Sequence, residues 1–287
     1  MFFQQIAANS LITASIYGLL AVGFNLIYGT VRFFDISYGA IPVIAAYMAF
    51  LFAKILGWPV WAGITLGIVS ASIVSYLIYR LVYKQLRDRK ASKMVFLVAA
   101  LGVYTVAISL IPIFFTSQFQ TLSNLVNVKT ITIGSAILTN VQIITIVLFV
   151  AISFIVALIL KKTRLGKAVR AVADDEEVTK TMGVNTEIII SKVFLMGGAI
   201  AGLAGIMVGL DTGMDPNIGF GLLLKAVIAC IIGGVGNIYA GVLGAILLAV
   251  IENVGVWYFS AEWKDLIAFT VLIIFLVVRP QGIAGKK

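Results

Sequence analysis

Histidine is absent from the 287-residue chain, and cysteine occurs once, at Cys230. Without histidine the chain has no Ser–His or Cys–His nucleophile, no imidazole metal ligand and no histidine proton relay. A single cysteine excludes a disulfide framework and a cysteine-cluster metal site, and its place inside an apolar run predicts a small core residue. Histidine-dependent enzymes and cysteine-based metal proteins are therefore excluded at the outset.

Charged residues are also scarce, at 11% of the chain against about 25% in soluble domains, whereas 61% of the residues are hydrophobic. A helix needs about 20 apolar residues to cross a bilayer. The sequence therefore predicts an all-α, polytopic transmembrane helical bundle of about eight to nine spans, forming a single domain over 1–287. The predicted spans lie near 6–30, 37–54, 59–80, 94–115, 141–160, 189–210, 222–236, 239–259 and 264–279. The span 222–236 is the weakest, because it is short and glycine-rich at its end, and it is a candidate half-helix.

The net charge of +9 is concentrated in two segments, 80–93 and 161–192. Clustered lysine and arginine between apolar runs is first an orientation signal, which places both segments in the cytoplasm and argues against nucleic-acid binding. The polar segment 116–140 between them is then external, and its alternation after Val128 predicts a short hairpin. Nine crossings would put the N-terminus outside and the tail, with Lys286 and Lys287, inside. The first span lacks a basic leader and is not expected to be a cleaved signal peptide.

Two charges lie at membrane depth, Lys225 and Glu252, where charged side chains are costly and usually face protein or water. Both fall in the outer halves of their spans, and we expect them to approach each other. A neutralising pair that joins two helices and a role in solute passage are both open.

The segment 28–39 combines Arg32, Asp35 and several glycines near the inner end of the first span. It is either a compact interfacial turn with an Arg–Asp pair or a break between helices that lines a pathway, as in transporters. A second small-residue pattern recurs every four residues at Gly197, Ala201, Gly205 and Gly209, which favours tight helix packing within one subunit over a moving interface.

The segment 166–183 has apolar residues at helical spacing and ends at a glycine. A short helix on the cytoplasmic face is a natural docking element for a soluble partner. Its acidic run, 174–177, is interpreted as a solvated or partner-facing surface rather than a metal site. The chain has no G-x-x-x-x-G-K-[ST] motif, so that any ATP used would be bound by another chain.

Several motifs together resemble the branched-chain amino acid ABC transporter permeases of the LivH type, and their order and spacing run nearly end to end. They lie at 18–29, 163–174, 182–185, 232–237, 262–265 and 279–282. One departure is that family members commonly read Asn-Phe-Ala-His-Gly where this chain reads Asp35-Ile-Ser-Tyr-Gly39, so that a carboxylate and a phenol replace an amide and an imidazole.

The resemblance implies a non-enzymatic, multi-pass subunit of a bacterial or archaeal cytoplasmic membrane, in contact with lipid. Its implied partners are a second, LivM-type permease, two ATPase subunits that carry ATP and Mg, and an external solute-binding protein, with no cofactor on this chain. It also implies that the segment 163–187 holds the coupling helix. The candidate coupling residues are Gly166, Arg170, Ala173, Asp174, Asp175, Glu176 and Gly183. The candidate pathway residues are Asn25, Tyr28, Asp35, Tyr38, Lys225 and Glu252.

Three other readings stay open. A stand-alone, ion-coupled secondary transporter or channel would centre on a buried carboxylate, for which Glu252 is the clear candidate. An intramembrane enzyme lacks a catalytic constellation at membrane depth, and a structural scaffold would not need the docking segment. Disruption of the docking segment, 166–183, distinguishes a channel from an ABC permease. A channel should keep its activity, whereas an ABC permease should lose energy coupling.

Overall fold

A computed structural model describes residues 2–115, 117–123, 128–133, 135–279 and 281–283, so that Lys286 and Lys287 of the predicted inner tail lie outside the described residues. The helices are α1 (Phe2–Val31), α2 (Ala40–Phe50), α3 (Val60–Ile78), α4 (Lys84–Asp88), α5 (Lys93–Phe115), α6 (Asn140–Lys162), α7 (Arg164–Asp174), α8 (Glu176–Thr181), α9 (Thr186–Asp211), α10 (Ile218–Gly233), α11 (Ile238–Tyr258) and α12 (Lys264–Val278). A 3-10 turn (Ile36–Gly39) precedes α2, and π-helical turns (Leu51–Ile55 and Tyr79–Tyr83) follow α2 and α3.

The predicted all-α transmembrane architecture is confirmed. Within the described ranges, seven helical segments are long and apolar enough to cross a membrane. The helices α10 and α12 are shorter, at 16 and 15 residues. The eight to nine predicted spans are thus approximate. The weak span at 222–236 corresponds to α10, which begins four residues earlier and ends where Gly234 adopts a φ of +127°.

The core lies around α1 and α9, whose side chains are mostly buried. The helix α1 packs against α6, α9, α10 and α11, and α9 packs against α1, α2 and α3. By contrast, α3, α5 and α6 expose apolar side chains along most of their length, such as Ile113 and Phe114. Such faces are suited to lipid or to a neighbouring membrane subunit, because a bilayer imposes no penalty on exposed apolar side chains.

The glycine pattern of α9 packs within this chain, as the sequence favoured. A β carbon on Gly205 would overlap the backbone of Pro42 in α2, and one on Gly197 would press on Ile27 in α1. On the other side, Gly202 has no space for a β carbon beside Ala71 of α3. The small residues therefore bring three helix backbones close to α9, as small-residue faces do in membranes.

Two segments differ from the prediction, namely 80–93, which lies between two predicted spans, and 166–183, which is predicted as one short helix. The basic segment 80–93 is mostly helical, because the π-helical turn after α3 leads into α4, whose Lys, Gln, Leu and Arg residues favour helix. A short turn at 89–92 then connects α4 to α5. The docking segment is two helices, α7 and α8, because Asp175 leaves helical geometry and its carboxylate caps α8 by accepting from the Val178 amide at 3.1 Å.

The predicted hairpin is confirmed. Strands β1 (Thr130–Ile133) and β2 (Ala136–Thr139) pair antiparallel, with Thr130 opposite Thr139. Thr139 then begins α6 through a capping box with Gln142. Gln4 of α1 accepts hydrogen bonds from the amide and the hydroxyl of Ser135, at 2.9 and 2.6 Å, and so ties the hairpin to the start of α1.

Candidate functional site

The connection from α6 to α7 depends on Thr163 and Gly166. The Thr163 hydroxyl accepts from the Gly166 amide at 3.0 Å and caps α7. Gly166 is buried against the last turn of α6, and a β carbon there would overlap the backbone of Ile159 and Leu160. Gly166 is one of the coupling residues predicted from the sequence. Because it has no side chain, the start of α7 can lie in close contact with the last turn of α6.

The helices α7 and α8 lie outside the seven long membrane-spanning segments and present a mixed outer face. The inner face of α7 buries Val169 and Val172, and its outer face exposes Arg170. Beyond it, Val178 and Met182 are 54% and 79% exposed. Apolar side chains exposed on a segment that does not cross the membrane are suited to a protein contact.

Glu176, a candidate coupling residue, is held within the chain. Its carboxylate forms ion pairs with Arg87 of α4 and with Lys180, the latter at 2.9 Å, and accepts a hydrogen bond from Thr186. Burial alone would raise the pKa of the Glu176 carboxyl, but the hydrogen bond from Lys180 and the charge of Arg87 outweigh it and hold that pKa below its ordinary value. Within the acidic run, Glu176 therefore links α8 to α4 through its ion pair with Arg87. Of the other candidates here, Asp174 and Asp175 are exposed, and Gly183 has a φ of +81° that ends this helix.

Asp35 organises the break between α1 and α2. Its carboxylate accepts hydrogen bonds from the Ser37 amide and hydroxyl, at 2.9 and 2.6 Å, and from the Tyr83 hydroxyl at 2.5 Å. The side chain is buried, and the structure confirms the helix break. The Arg32–Asp35 pair considered from the sequence is not among the described ion pairs, because Asp35 turns inward to cap the 3-10 turn and Arg32 reaches the end of α7 through the Ala173 carbonyl.

Asn25, another candidate pathway residue, joins α1 to the turn between α10 and α11. Its amide group donates to the Asn237 carbonyl at 3.2 Å and its oxygen accepts from the Gly236 amide at 3.0 Å. The side chain is 1% exposed. A buried amide with both groups satisfied fixes the glycine-rich turn against α1.

The two tyrosines near the break differ in burial. Tyr38 is fully buried and donates from its hydroxyl to the Leu20 carbonyl of α1 at 2.9 Å. Tyr28 is half-buried, and its ring stacks on Phe24 with centroids 6.0 Å apart. Tyr38 therefore packs on α1, and Tyr28 is part of α1.

Lys225 and Glu252 meet, as the sequence predicted, with Nζ and Oε1 2.7 Å apart. The Lys225 ammonium also lies 2.9 Å from Asp265 at the start of α12. Glu252 accepts a second hydrogen bond from the Tyr17 hydroxyl at 2.9 Å, and Lys264 lies 3.8 Å from the same oxygen. Glu252 is 0% exposed and Lys225 is 8% exposed, so the pair is enclosed, whereas Asp265 opens to the surface.

Three members of this cluster are not among the residues predicted from the sequence, namely Tyr17, Lys264 and Asp265. The two charged residues were noted only as part of the motif 262–265, although a Lys–Asp pair at the start of an apolar segment is a visible signal. Tyr17 carried no signal, because a tyrosine inside an apolar helix is usually a packing residue.

Most of the chain is similar to a known protein family and to named proteins of that kind. The family model described as branched-chain amino acid transport system / permease component matches residues 6–276. The chain is 31% identical to the high-affinity branched-chain amino acid transport system permease protein LivH of Escherichia coli K12, over 100% of this chain and 96% of that protein. It is 29% identical to the corresponding BraD protein of Pseudomonas aeruginosa, over 99% and 96% of the two chains.

Among solved structures, the fold is similar to a chain of PsaBC from Streptococcus pneumoniae in complex with Fab. The TM-score is 0.50 and the identity 15%, with 95% of this chain and 91% of that chain covered. At this identity the similarity concerns the fold alone.

Proposed function

The chain belongs to the permease-component family of branched-chain amino acid transport systems, and we propose that it forms one half of the transmembrane pathway of an ATP-driven importer for branched-chain or related amino acids. It is a multi-pass protein of the cytoplasmic membrane and a transport subunit of an ABC transporter. The proposed substrate class follows the names of its relatives and the full-length similarity to them.

The proposed partners are a second, LivM-type permease, two ATPase subunits and an external solute-binding protein. Hydrolysis of ATP, with Mg, is assigned to the ATPase subunits, and the chain's own sequence supports this because it carries no P-loop motif. The exposed apolar faces of α3, α5 and α6 offer surfaces for the second permease and for lipid.

The observation that carries this proposal is the exposed apolar pair formed by Val178 on α8 and Met182 directly after it, beside the basic outer face of α7. An amphipathic two-helix element anchored to the membrane domain through Gly166 is suited to docking in a groove of a soluble partner. We assign that partner as the ATPase, with the segment 163–187 as the coupling element and Arg170, Ala173, Asp174, Asp175, Glu176 and Gly183 shaping or contacting the interface.

In this mechanism, closure of the ATPase pair on ATP moves α7 and α8, and the movement switches the pathway between outward and inward access. The candidate pathway residues Asn25, Asp35, Tyr38, Lys225 and Glu252 are buried with partners in this chain. Their contact with solute stays a prediction, as does that of Tyr28. The hydrogen bonds described above support a further role for the buried set in holding the break, the glycine turn and the outer charges in place.

The test replaces Val178 and Met182 together by glutamate and measures the ATPase that co-purifies with the full chain in mild detergent. We expect at least a tenfold loss of co-purifying ATPase, and loss of ATP-driven leucine uptake in vesicles, because charge is placed on the apolar docking pair. The matched control is Val128→Glu, an exposed valine near the outer hairpin, which should leave ATPase binding unchanged.

Two results would contradict the proposal. ATPase that stays bound to the double variant would show that α8 is not the docking surface. Uptake that persists in the double variant and follows an ion gradient instead of ATP would favour the stand-alone secondary transporter.

A further inference from the structure

Arg32 adopts an unusual backbone conformation at the cytoplasmic end of α1. Its φ is +54°, in the left-handed region that favours glycine. Its amide donates to the Tyr28 carbonyl at 2.8 Å, which closes the last turn of α1. Helices commonly end on such a left-handed residue, but the residue is usually glycine, which carries no side chain. An arginine here therefore ends α1 and also carries a long cationic side chain away from it.

The guanidinium of Arg32 is placed on the C-terminal end of α7. One of its nitrogens donates to the Ala173 carbonyl and to the Asp174 carbonyl, the latter at 3.2 Å. The last carbonyls of a helix have no partner within the helix, and a cation at that end is favoured by the helix dipole. One residue thus ends a membrane-spanning helix and caps the helix that we assign to the ATPase interface.

The helix α1 connects this contact to the outer side of the molecule. Its 30 residues span about 45 Å at 1.5 Å per residue. Halfway along, Tyr17 donates to Glu252 of the outer charge cluster, and at the far end Gln4 accepts from Ser135 of the hairpin. A displacement applied to the inner end of α1 therefore reaches both outer features through hydrogen-bonded partners.

We propose that Arg32 is a positioning residue that transmits movement of α7 to α1, and through α1 to the outer charge cluster and hairpin. This inference rests on the proposed function, since it needs an ATPase that moves α7. It assigns Arg32 no contact with solute. The inner end of α1 follows α7 because the guanidinium holds two carbonyls at its end.

The main variant is Arg32→Gly, which removes the guanidinium and keeps the left-handed backbone without strain. The matched control is Lys90→Gly, since Lys90 is also basic, cytoplasmic and left-handed, with a φ of +52°. Within the described residues the Lys90 side chain forms no hydrogen bond or ion pair with α7. Arg32→Lys keeps the positive charge and serves as the rescue variant.

The assembled complex is reconstituted in vesicles, and leucine uptake is measured per ATP hydrolysed. A fluorophore on Phe3→Cys reports movement at the exposed outer end of α1, because the native Cys230 is fully buried. For Arg32→Gly we expect hydrolysis within twofold of the parent, at least a tenfold lower uptake per ATP, and loss of the ATP-driven fluorescence change. Arg32→Lys should recover part of both signals, and Lys90→Gly should keep both.

Three outcomes would overturn the inference. Uptake per ATP within twofold of the parent in Arg32→Gly would show that the contact transmits nothing. Loss of ATPase binding in Arg32→Gly would make Arg32 an assembly contact instead. Absence of ATP-driven uptake in the parent complex would overturn the proposed function itself, which separates that failure from the first two.

Discussion

Replacing Lys225 by methionine removes the cation that lies within hydrogen-bonding distance of Glu252 in the described structure. Glu252 is 0% exposed, so its carboxylate would keep the Tyr17 hydroxyl at 2.9 Å and Lys264 at 3.8 Å as its nearest polar partners. Removal of one partner from a buried ion pair costs about 3–5 kcal/mol, because the remaining charge stays buried. An ordinary interhelical hydrogen bond in a membrane protein is worth only about 0.6 kcal/mol. The two magnitudes are far enough apart to be distinguished.

The contacts of Lys225 and Glu252 predict an order in how much each variant lowers the free energy of unfolding. Glu252→Gln leaves Lys225 with Asp265 at 2.9 Å, and should cost about 1–3 kcal/mol, as for a buried group that loses one partner. Asp265→Asn alters a side chain that is 78% exposed, for which about 1 kcal/mol or less is expected. The double variant Lys225→Met with Glu252→Gln buries no charge and should be more stable than Lys225→Met alone, by about 2 kcal/mol.

The assay is equilibrium unfolding of the full chain in mixed detergent micelles with increasing sodium dodecyl sulfate, followed by circular dichroism. The free energy of unfolding is compared among the three single variants and the double variant. Equal costs for Lys225→Met and Asp265→Asn, or costs that simply add in the double variant, would refute the reasoning that an enclosed ion pair joins α10 and α11.

Two further predictions concern packing and pH. Gly205→Ala should destabilise the chain by on the order of 3 kcal/mol, since the new methyl overlaps the Pro42 backbone, whereas Gly221→Ala, with open space around it, should be neutral or stabilising in the same unfolding assay. The lowered pKa of Glu176 means that its pairing with Lys180 and Arg87 stabilises the fold fully above the unfolded value of about 4.3 and loses this contribution as pH falls through the folded pKa. The stability difference between the parent and Glu176→Gln should therefore be constant at neutral pH and vanish at the acid end; a difference that grows on acidification would contradict it.

Much of the fold could be predicted because the bilayer restricts the choices. Long uncharged runs and two basic segments were enough for the spans, and the alternation after Val128 was enough for the hairpin. The Lys225–Glu252 contact also followed from the sequence, since two costly charges at similar depth have few partners other than each other. Depth along a helix can be counted from residue number, and this is why that contact could be placed.

Contacts that depend on the direction of a side chain could not be predicted. The sequence indicated that Arg32 and Asp35 lie near each other but not that Arg32 is left-handed and points to α7. In the same way, Asn25 appeared as a polar residue in a span, and nothing local indicated a partner at Gly236. Each of these contacts joins segments more than 100 residues apart, and their geometry depends on helix rotation, which apolar periodicity does not fix in a helix that is hydrophobic on all sides.

The position of α1 at the centre of the bundle also has a consequence for synthesis. It leaves the ribosome before the other helices of the bundle, and the Glu252 partner of Tyr17 follows 235 residues later. At about 5–20 residues per second, α1 waits roughly 10–50 s in the membrane before that partner exists. Until those residues are synthesised, Tyr17 lacks its partner Glu252, and Asn25 lacks its partners Gly236 and Asn237. Chains cut short before α11 should therefore be recognised as unfinished and degraded, even though most of their helices have already been inserted.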